Sequence, residues 1–520
     1  MQLKEYLASN GDLLLYTGDP DLSRLDGLAR GPGDLWHSSL DRGYLNAFHE
    51  IVYQTHIAWW YVEDFKGLDS CINWRIDPSG FVVRKNVWEH FEGFNPSYRS
   101  AIMGALSLGY DMIKNGAVPL YTKGLFNKSE SPLDAIPVLD KFQFFQRKFR
   151  WPHSLYLLMR CGLLNPLWHF AFWKSLFTFK SDSVTGFNTV KMLNPIQGYP
   201  SISYIIPTMM RQSMTMQLLH DLANQSYPPS QVIIVDATPE KDRLAGLYYQ
   251  REWPFQLEVV WQTSKGSCRA RNEGIEHSNG DYIIFGDDDI RLPEDFIENH
   301  IRFMQTYQVD ACNGLDIRAD HPEQDLNDLS KKRMDYFLLN ALLPGISNNF
   351  NNANSCISRK VLQLVPGNDV NYDGGYGEDS DFGLSLVKKG YLLLHNPYSV
   401  NLHLKPPVGG YRFWGAQSKV TGKKRKRQPW EINRTVGWIR PVPSPTIMYY
   451  ALKHFNKLTV TEYEIKHFVH YLTVGGLVRF PFRLFRLPYK YFQLIKSRQF
   501  AQDLIRLNSS SGNQQVKNET

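Results

Sequence analysis

Three apolar runs that stop at an acid or at a proline constrain this chain more than any other feature. SISYIIPT (Ser201–Thr208), QVIIVDAT (Gln231–Thr238) and DYIIFGDDD (Asp281–Asp289) are short and β-branched. They are too continuous for strands with one solvated face, so each reads as a strand buried on both sides. LEVVWQ (Leu257–Gln262) is a further strand, while MTMQLLHDLANQ (Met214–Gln225) and SCRARNEGIEHS (Ser267–Ser278) carry helical spacing. Strands alternating with helices from Ser201 to about Trp414 require an α/β sheet, mostly parallel.

In such sheets ligands sit beyond the carboxyl ends of the strands. Asp236 and the run Asp287, Asp288, Asp289 fall at those ends, where a nucleotide is expected. Three adjacent carboxylates repel one another unless a cation makes their company favourable. Oxygen-only character suits a hard divalent cation, Mg²⁺ or Mn²⁺, which can also bridge phosphate oxygens. A second acidic pair stands in GEDSDFG (Gly377–Gly383), His403 follows in NLHL, and KPPVGGYR (Lys405–Arg412) is a Gly-hinged basic loop able to close over a diphosphate.

At 520 residues, 43% hydrophobic and 21% charged, the chain is long enough for two or three folded domains. Five widely spaced cysteines without a CxxC exclude a disulfide framework and a structural zinc site. The amino terminus lacks a signal-peptide pattern, and no apolar window reaches the ~18 residues of a membrane span. A cytoplasmic protein is expected. Its net charge of +7 does not compel nucleic acid. The run KKRKR (Lys423–Arg427) is assigned to lipid headgroups or an anionic acceptor, with no nucleic-acid partner. Phe142–Phe177 and Lys466–Arg498 interleave aromatic with basic residues, a composition that suits peripheral contact with an anionic membrane. The polar tail 508–520 reads as disordered.

The chain also echoes itself. SNGD recurs at Ser9 and Ser278, and VRKNVWEHF…IKNG (Val83–Gly116) echoes SRKVLQLV…VKKG (Ser358–Gly390). Residues 1 to about 127 thus parallel roughly 268 to 405. The first copy begins in mid-domain, and Gly104 and Ala105 stand where the second has Glu378 and Asp379. It is expected to be non-catalytic and to leave a sheet edge needing cover, by the second domain, by a partner or by chain upstream of Met1.

The ordered set IIPT, IIVDAT, RARNEG, FGDDDI, YGEDSDFGLSLVKKGY and NLHL resembles the family 2 glycosyltransferases of GT-A fold, over residues 201 to 405. The resemblance implies a domain at 196–415, preceded by a partial GT-A-like repeat at 1–130 and an aromatic-basic linker at 131–195. A basic, helical, membrane-associating region at 416–507 and the tail follow. It further implies that Pro207, Asp236, Arg269, Arg271, Asp287, Asp288, Lys405 and Arg412 hold the nucleotide. Asp289, Asp287 and His403 would hold the divalent cation, His403 completing metal or diphosphate coordination. Asp379 would be the general base, and Glu378 would orient the acceptor or the base. The implied activity is inverting, metal-dependent transfer from a nucleotide-sugar to a saccharide hydroxyl. The acceptor would be lipid-linked, at the cytoplasmic face of the membrane, in surface polysaccharide or glycan synthesis. A sugar-phosphate nucleotidyltransferase is an alternative, but the Gly-rich basic loop it needs after its first strand is missing from IIPTMMRQSM. A binding-only pseudoenzyme is the other alternative, and the intact acids of the second copy speak against it.

Overall fold

The computed structural model describes all residues except 1, 55–56, 128–132, 182–185, 188–191, 264, 322, 337–340, 405, 407–408, 412–429, 432–433, 475–478 and 519–520. The basic loop residues Lys405 and Arg412, and the run Lys423–Arg427, therefore lie outside the described residues.

Among the described residues the strands form two sheets. The first has six strands: β1 (Lys4–Leu7), β2 (Leu13–Thr17), β3 (Leu35–His37), β4 (Ser70–Ile72), β5 (Phe81–Arg84) and β6 (Pro119–Thr122), in the order β1-β2-β5-β3-β6-β4. The second has nine: β7 (Ile202–Thr208), β8 (Gln231–Asp236), β9 (Gln256–Trp261), β10 (Tyr282–Gly286), β11 (Ile290–Arg291), β12 (Ala311–Arg318), β13 (Gly345–Ile346), β14 (Asn354–Ser358) and β15 (Leu393–His403). Their order is β11-β15-β12-β14-β10-β7-β8-β9, with β13 on β15. The β10-β7-β8-β9 half is parallel, as the continuous apolar runs require, and every residue of β7 and β8 is buried. The other half is mixed, because β14 runs antiparallel to both β10 and β12.

The first sheet pairs as this mixed half does. β5 is antiparallel to β2 and β3, β3 is parallel to β6, and β4 is antiparallel to β6. In the second sheet β14, β10, β12, β15 and β13 stand in those relations. Register agrees too. Leu35 lies opposite Val83 and Pro119 as Ala311 lies opposite Ile357 and Leu393, and Cys71 lies opposite Tyr121 as Gly345 lies opposite His395. The free edge expected at β2 is covered by the chain itself: β1 pairs antiparallel along it, where the second sheet continues through β7.

One hydrophobic cluster joins the two sheets, running from Leu14, Trp36 and Trp74 through Trp60 to Phe350, Phe382 and Ile205. At the junction Gly383 admits the Trp60 ring, and a Cβ there would stand 2.4 Å from it and 2.7 Å from Phe350 Cβ. The aromatic-basic segments are helical, at Val138–Lys148, Trp151–Cys161, Pro166–Thr178, Lys457–Thr473 and Phe480–Phe485. Arg160 Nε and the Tyr156 hydroxyl donate to Glu462, tying the Trp151 helix to the Lys457 helix. Among the described residues no helix is long and apolar enough to cross a membrane. The last helix, Leu487–Asn518, continues through most of the tail that composition reads as disordered. It packs on the Pro445–His454 helix, with Leu494, Phe500, Ala501 and Leu504 buried.

Candidate active site

The carboxyl ends of β7, β8 and β10, with the end of β15, converge on one site. Asp287, Asp288 and Asp289 follow β10 directly, and each carboxylate meets a different set of partners. Arg271, buried on the Ser267–His277 helix, donates from Nη2 to Asp287 Oδ1 at 2.6 Å. Asp288 Oδ2 accepts from the Thr208 hydroxyl at 2.7 Å, and its Oδ1 accepts from Arg211 Nη1 at 3.0 Å. Asp289 Oδ2 accepts from the same Arg211 nitrogen at 2.9 Å, and its Oδ1 lies 3.3 Å from His403 Nε2. The backbone joins in, since Asp289 O accepts from Leu404 N–H at 2.8 Å. Cations at hydrogen-bond range offset part of the repulsion that the sequence posed.

These surroundings shift the groups in opposite directions. Burial and the Asp289 charge push Asp288 up to about 7. Burial opposes the charge of Asp289 as well, but His403 and Arg211 outweigh it and hold Asp289 below the usual carboxylate range. His403 stands between two carboxylates, with Nδ1 3.1 Å from Asp316 Oδ1. Burial works against its proton, yet Asp289 and Asp316 raise it to about 11.

Asp287, Asp289 and His403 each bring a ligand atom to within 4.8 Å of the others. Two carboxylates and an imidazole suit Mg²⁺ or Mn²⁺, and their spacing lets one ion reach all three. A cation on Nε2 would replace the imidazole proton there, with Asp316 holding Nδ1–H and fixing the ring.

Asp236 closes β8, fully buried. Its Oδ1 accepts from Thr238 N–H at 2.8 Å, and its Oδ2 accepts from the Tyr248 hydroxyl at 2.9 Å and from Gln212 at 3.2 Å. Oδ1, with a single donor, keeps acceptor capacity for a further hydrogen bond. Pro207 lies in β7 opposite Val235, past the last rung with β10. Arg269, expected beside the nucleotide, is largely exposed and turns to Asp373, with Nε 3.5 Å from Oδ2.

The second acidic pair opens the Glu378–Lys388 helix. Gly377 at its N-cap supplies no side-chain cap, and Glu378, Asp379 and Asp381 stand in the first turn. Asn352 donates to Asp379 Oδ1. Burial, with Glu378 beside it, pushes Asp379 up to about 7, although Arg271 and Asn352 oppose the rise. Arg271 is drawn on by both Asp287 and Asp379, which keep its charge in place against burial. Asp381 belongs to another role. It accepts from the Tyr372 hydroxyl, from Lys453 and from His454 at 2.7–2.9 Å, which locks this helix to Pro445–His454.

Residues 203–364 match the family model for glycosyl transferase family 2. The domain built on the second sheet belongs to that family. Its α/β architecture is of the GT-A type. An uncharacterized glycosyltransferase of Haemophilus influenzae is 25% identical over 36% of this chain and 73% of its own length. A dolichyl N-acetyl-α-D-glucosaminyl phosphate 3-β-D-2,3-diacetamido-2,3-dideoxy-β-D-glucuronosyltransferase of Methanococcus voltae is 24% identical over 38% of this chain and 65% of its own length. Among solved structures, a mannosyltransferase of Pyrobaculum calidifontis in complex with GDP-Man and Mn²⁺ aligns at a TM-score of 0.34 with 16% identity. That alignment covers 69% of this chain and 98% of that one.

In the family 2 domain three side chains escaped the sequence reading. Asp316, near the end of β12, obeys the same strand-end rule that picked out Asp236. Arg211 follows β7 with no motif to mark it. Asn352 sits among several asparagines in GISNNFNNANS (Gly345–Ser355), where only the fold shows which one meets Asp379.

Proposed function

We propose that this chain is an inverting, metal-dependent glycosyltransferase that moves a sugar from a nucleotide-sugar to a hydroxyl of a lipid-linked saccharide, in surface polysaccharide or glycan synthesis. The observation that carries the reading is one cationic side chain, Arg271, between two acidic centres: the Asp287–Asp289–His403 group and the Asp379 carboxyl. The first suits a diphosphate. The second, raised to about 7, suits a base for a hydroxyl.

In the reaction Asp379 Oδ takes the acceptor hydroxyl proton as that oxygen bonds the anomeric carbon, on the face opposite the nucleotide. The bond from that carbon to the diphosphate oxygen breaks, and its electron pair leaves with the diphosphate. Arg271 holds charge developing on the leaving group, and Asn352 fixes the base. A divalent cation on Asp287, Asp289 and His403 would supply further charge stabilisation there. Glu378 orients the acceptor or the base.

The dolichyl-phosphate substrate in the name of the Methanococcus voltae relative supports a lipid-linked acceptor. So does the surface. Residues 150–181 and 466–502 contain no acidic residue. Phe177 and Phe485 are 85% and 87% exposed, and Arg479, Arg483 and Lys490 flank Phe485 in the sequence. That chemistry fits an anionic bilayer interface, and we assign the chain to the cytoplasmic face as a peripheral protein. The first sheet is read as a degenerate, non-catalytic copy of the mixed half, supported by its shared pairing and register.

Turnover of a panel of nucleotide-sugars with and without Mn²⁺ tests the reading. Asp379→Asn should retain nucleotide binding and lose transfer by at least ~10²-fold, while Asp289→Asn should lose metal-dependent nucleotide binding. Transfer by Asp379→Asn at the wild-type rate would sink the base assignment.

A further inference from the structure

Arg211 stands three residues beyond the end of β7, with only 12% of its side chain exposed. Its Nη1 is shared between Asp288 Oδ1 and Asp289 Oδ2. The remaining oxygens are engaged as well, Asp288 Oδ2 by the Thr208 hydroxyl and Asp289 Oδ1 by His403 Nε2. Both oxygens of Asp289 are therefore committed to protein partners. The backbone at Gly409 and Gly410 lies against the guanidinium, at φ +83° and +78°. A Cβ on Gly410 would stand 2.7 Å from Arg211 Cζ. The contact is built by both the β7 end and the loop after β15.

A divalent cation on Asp287, Asp289 and His403 would share Asp289 with this guanidinium. Two positive charges a few ångströms apart in a partly buried site oppose each other strongly. A diphosphate removes the conflict, because its oxygens can accept from the guanidinium and ligate the cation together. We propose that Arg211 makes cation binding depend on a diphosphate: it holds Asp288 and Asp289 until diphosphate oxygens take up its guanidinium, and so releases Asp289 to the cation. This rests on the glycosyltransferase reading of the site. It gives the domain an order of loading, in which cation and diphosphate bind together far better than the cation alone.

Calorimetric titration with Mn²⁺ alone, and with Mn²⁺ plus inorganic pyrophosphate, tests it without knowledge of the sugar. Arg211→Gln should bind Mn²⁺ alone about tenfold or more tightly than wild type, whereas Arg211→Lys, which keeps the charge, should not. Pyrophosphate should tighten Mn²⁺ binding in wild type more than in Arg211→Gln. Unchanged or weaker Mn²⁺ binding by Arg211→Gln overturns the proposal. Thermal melting reports whether that variant folds. Should it not fold, Gly410→Ala displaces the guanidinium without removing it, and the same tightening is expected; its absence there overturns the proposal equally. Asp289→Asn separates this failure from that of the metal site. If it binds Mn²⁺ as wild type does, the metal site is wrong, and the functional reading loses its metal along with the coupling.

Discussion

Asp379 shows how one carboxyl links function to stability. Its native-state titration is raised to about 7, above the ordinary range near 4. Between those values the unfolded chain has lost the proton that the native state keeps, so this group's contribution to stability falls as pH rises through the window and stays low above it. Asp379→Asn should therefore be more stable than wild type at pH 8, by about 1–2 kcal/mol, with the difference fading toward pH 4. Urea unfolding at the two pH values checks it, and an equal gain at both would refute the linkage. In the proposed mechanism catalysis runs the other way, since a base works only when ionised. kcat/KM should rise through about pH 7, and pH profiles of wild type and Asp379→Asn should differ by that limb. At this scale the sequence marked Asp287, Asp289, His403 and Asp379 because their order resembles a family. It could not mark Arg211 or Asn352, whose roles depend on chain brought in from elsewhere.

Among the elements, the Glu378–Lys388 helix is held from two sides. Lys453 and His454 grip Asp381, while Trp60 from the first sheet's half packs on Gly383. Trp60 N–H also donates to Asn348 Oδ1 and the Tyr61 hydroxyl donates to Ser347 O, which steadies the loop bearing Asn352. The first sheet's half thus buttresses the helix and the loop that hold Asp379 and Asn352. Gly383→Ala should force a methyl group into the Trp60 ring and cost about 1–3 kcal/mol. It should also lower transfer more than nucleotide binding, because the helix it shifts carries Asp379 and not the aspartate run. A variant with wild-type stability and rate would show that the close approach is easily relieved. The strands of the parallel half were legible as continuous apolar runs. The mixed half was less so, because β13 has two residues and β14, NSCIS, is mostly polar, so neither carries an apolar run.

For the whole molecule, the Trp151 helix packs on the Pro166 helix and is tied through Glu462 to the Lys457 helix, which packs on the Phe480 helix. Removing two exposed rings, Phe177→Ser with Phe485→Ser, should weaken co-sedimentation with anionic vesicles by at least about tenfold, given ~1.5–3 kcal/mol for burying each side chain. Mn²⁺ binding should be unchanged. Equal sedimentation of the variant and wild type would remove the membrane from the reading.

What the sequence determined by itself was local and periodic: buried strands from β-branched runs, acids at their ends, and the order of motifs that identifies the domain. The tertiary structure decided which charges meet. Arg211 reaches Asp289, Asp316 orients His403 and Trp60 seats on Gly383 because sheet pairing and packing bring separate segments together. Hydrogen bonds and ion pairs fall off within a few ångströms, so sequence spacing cannot specify them.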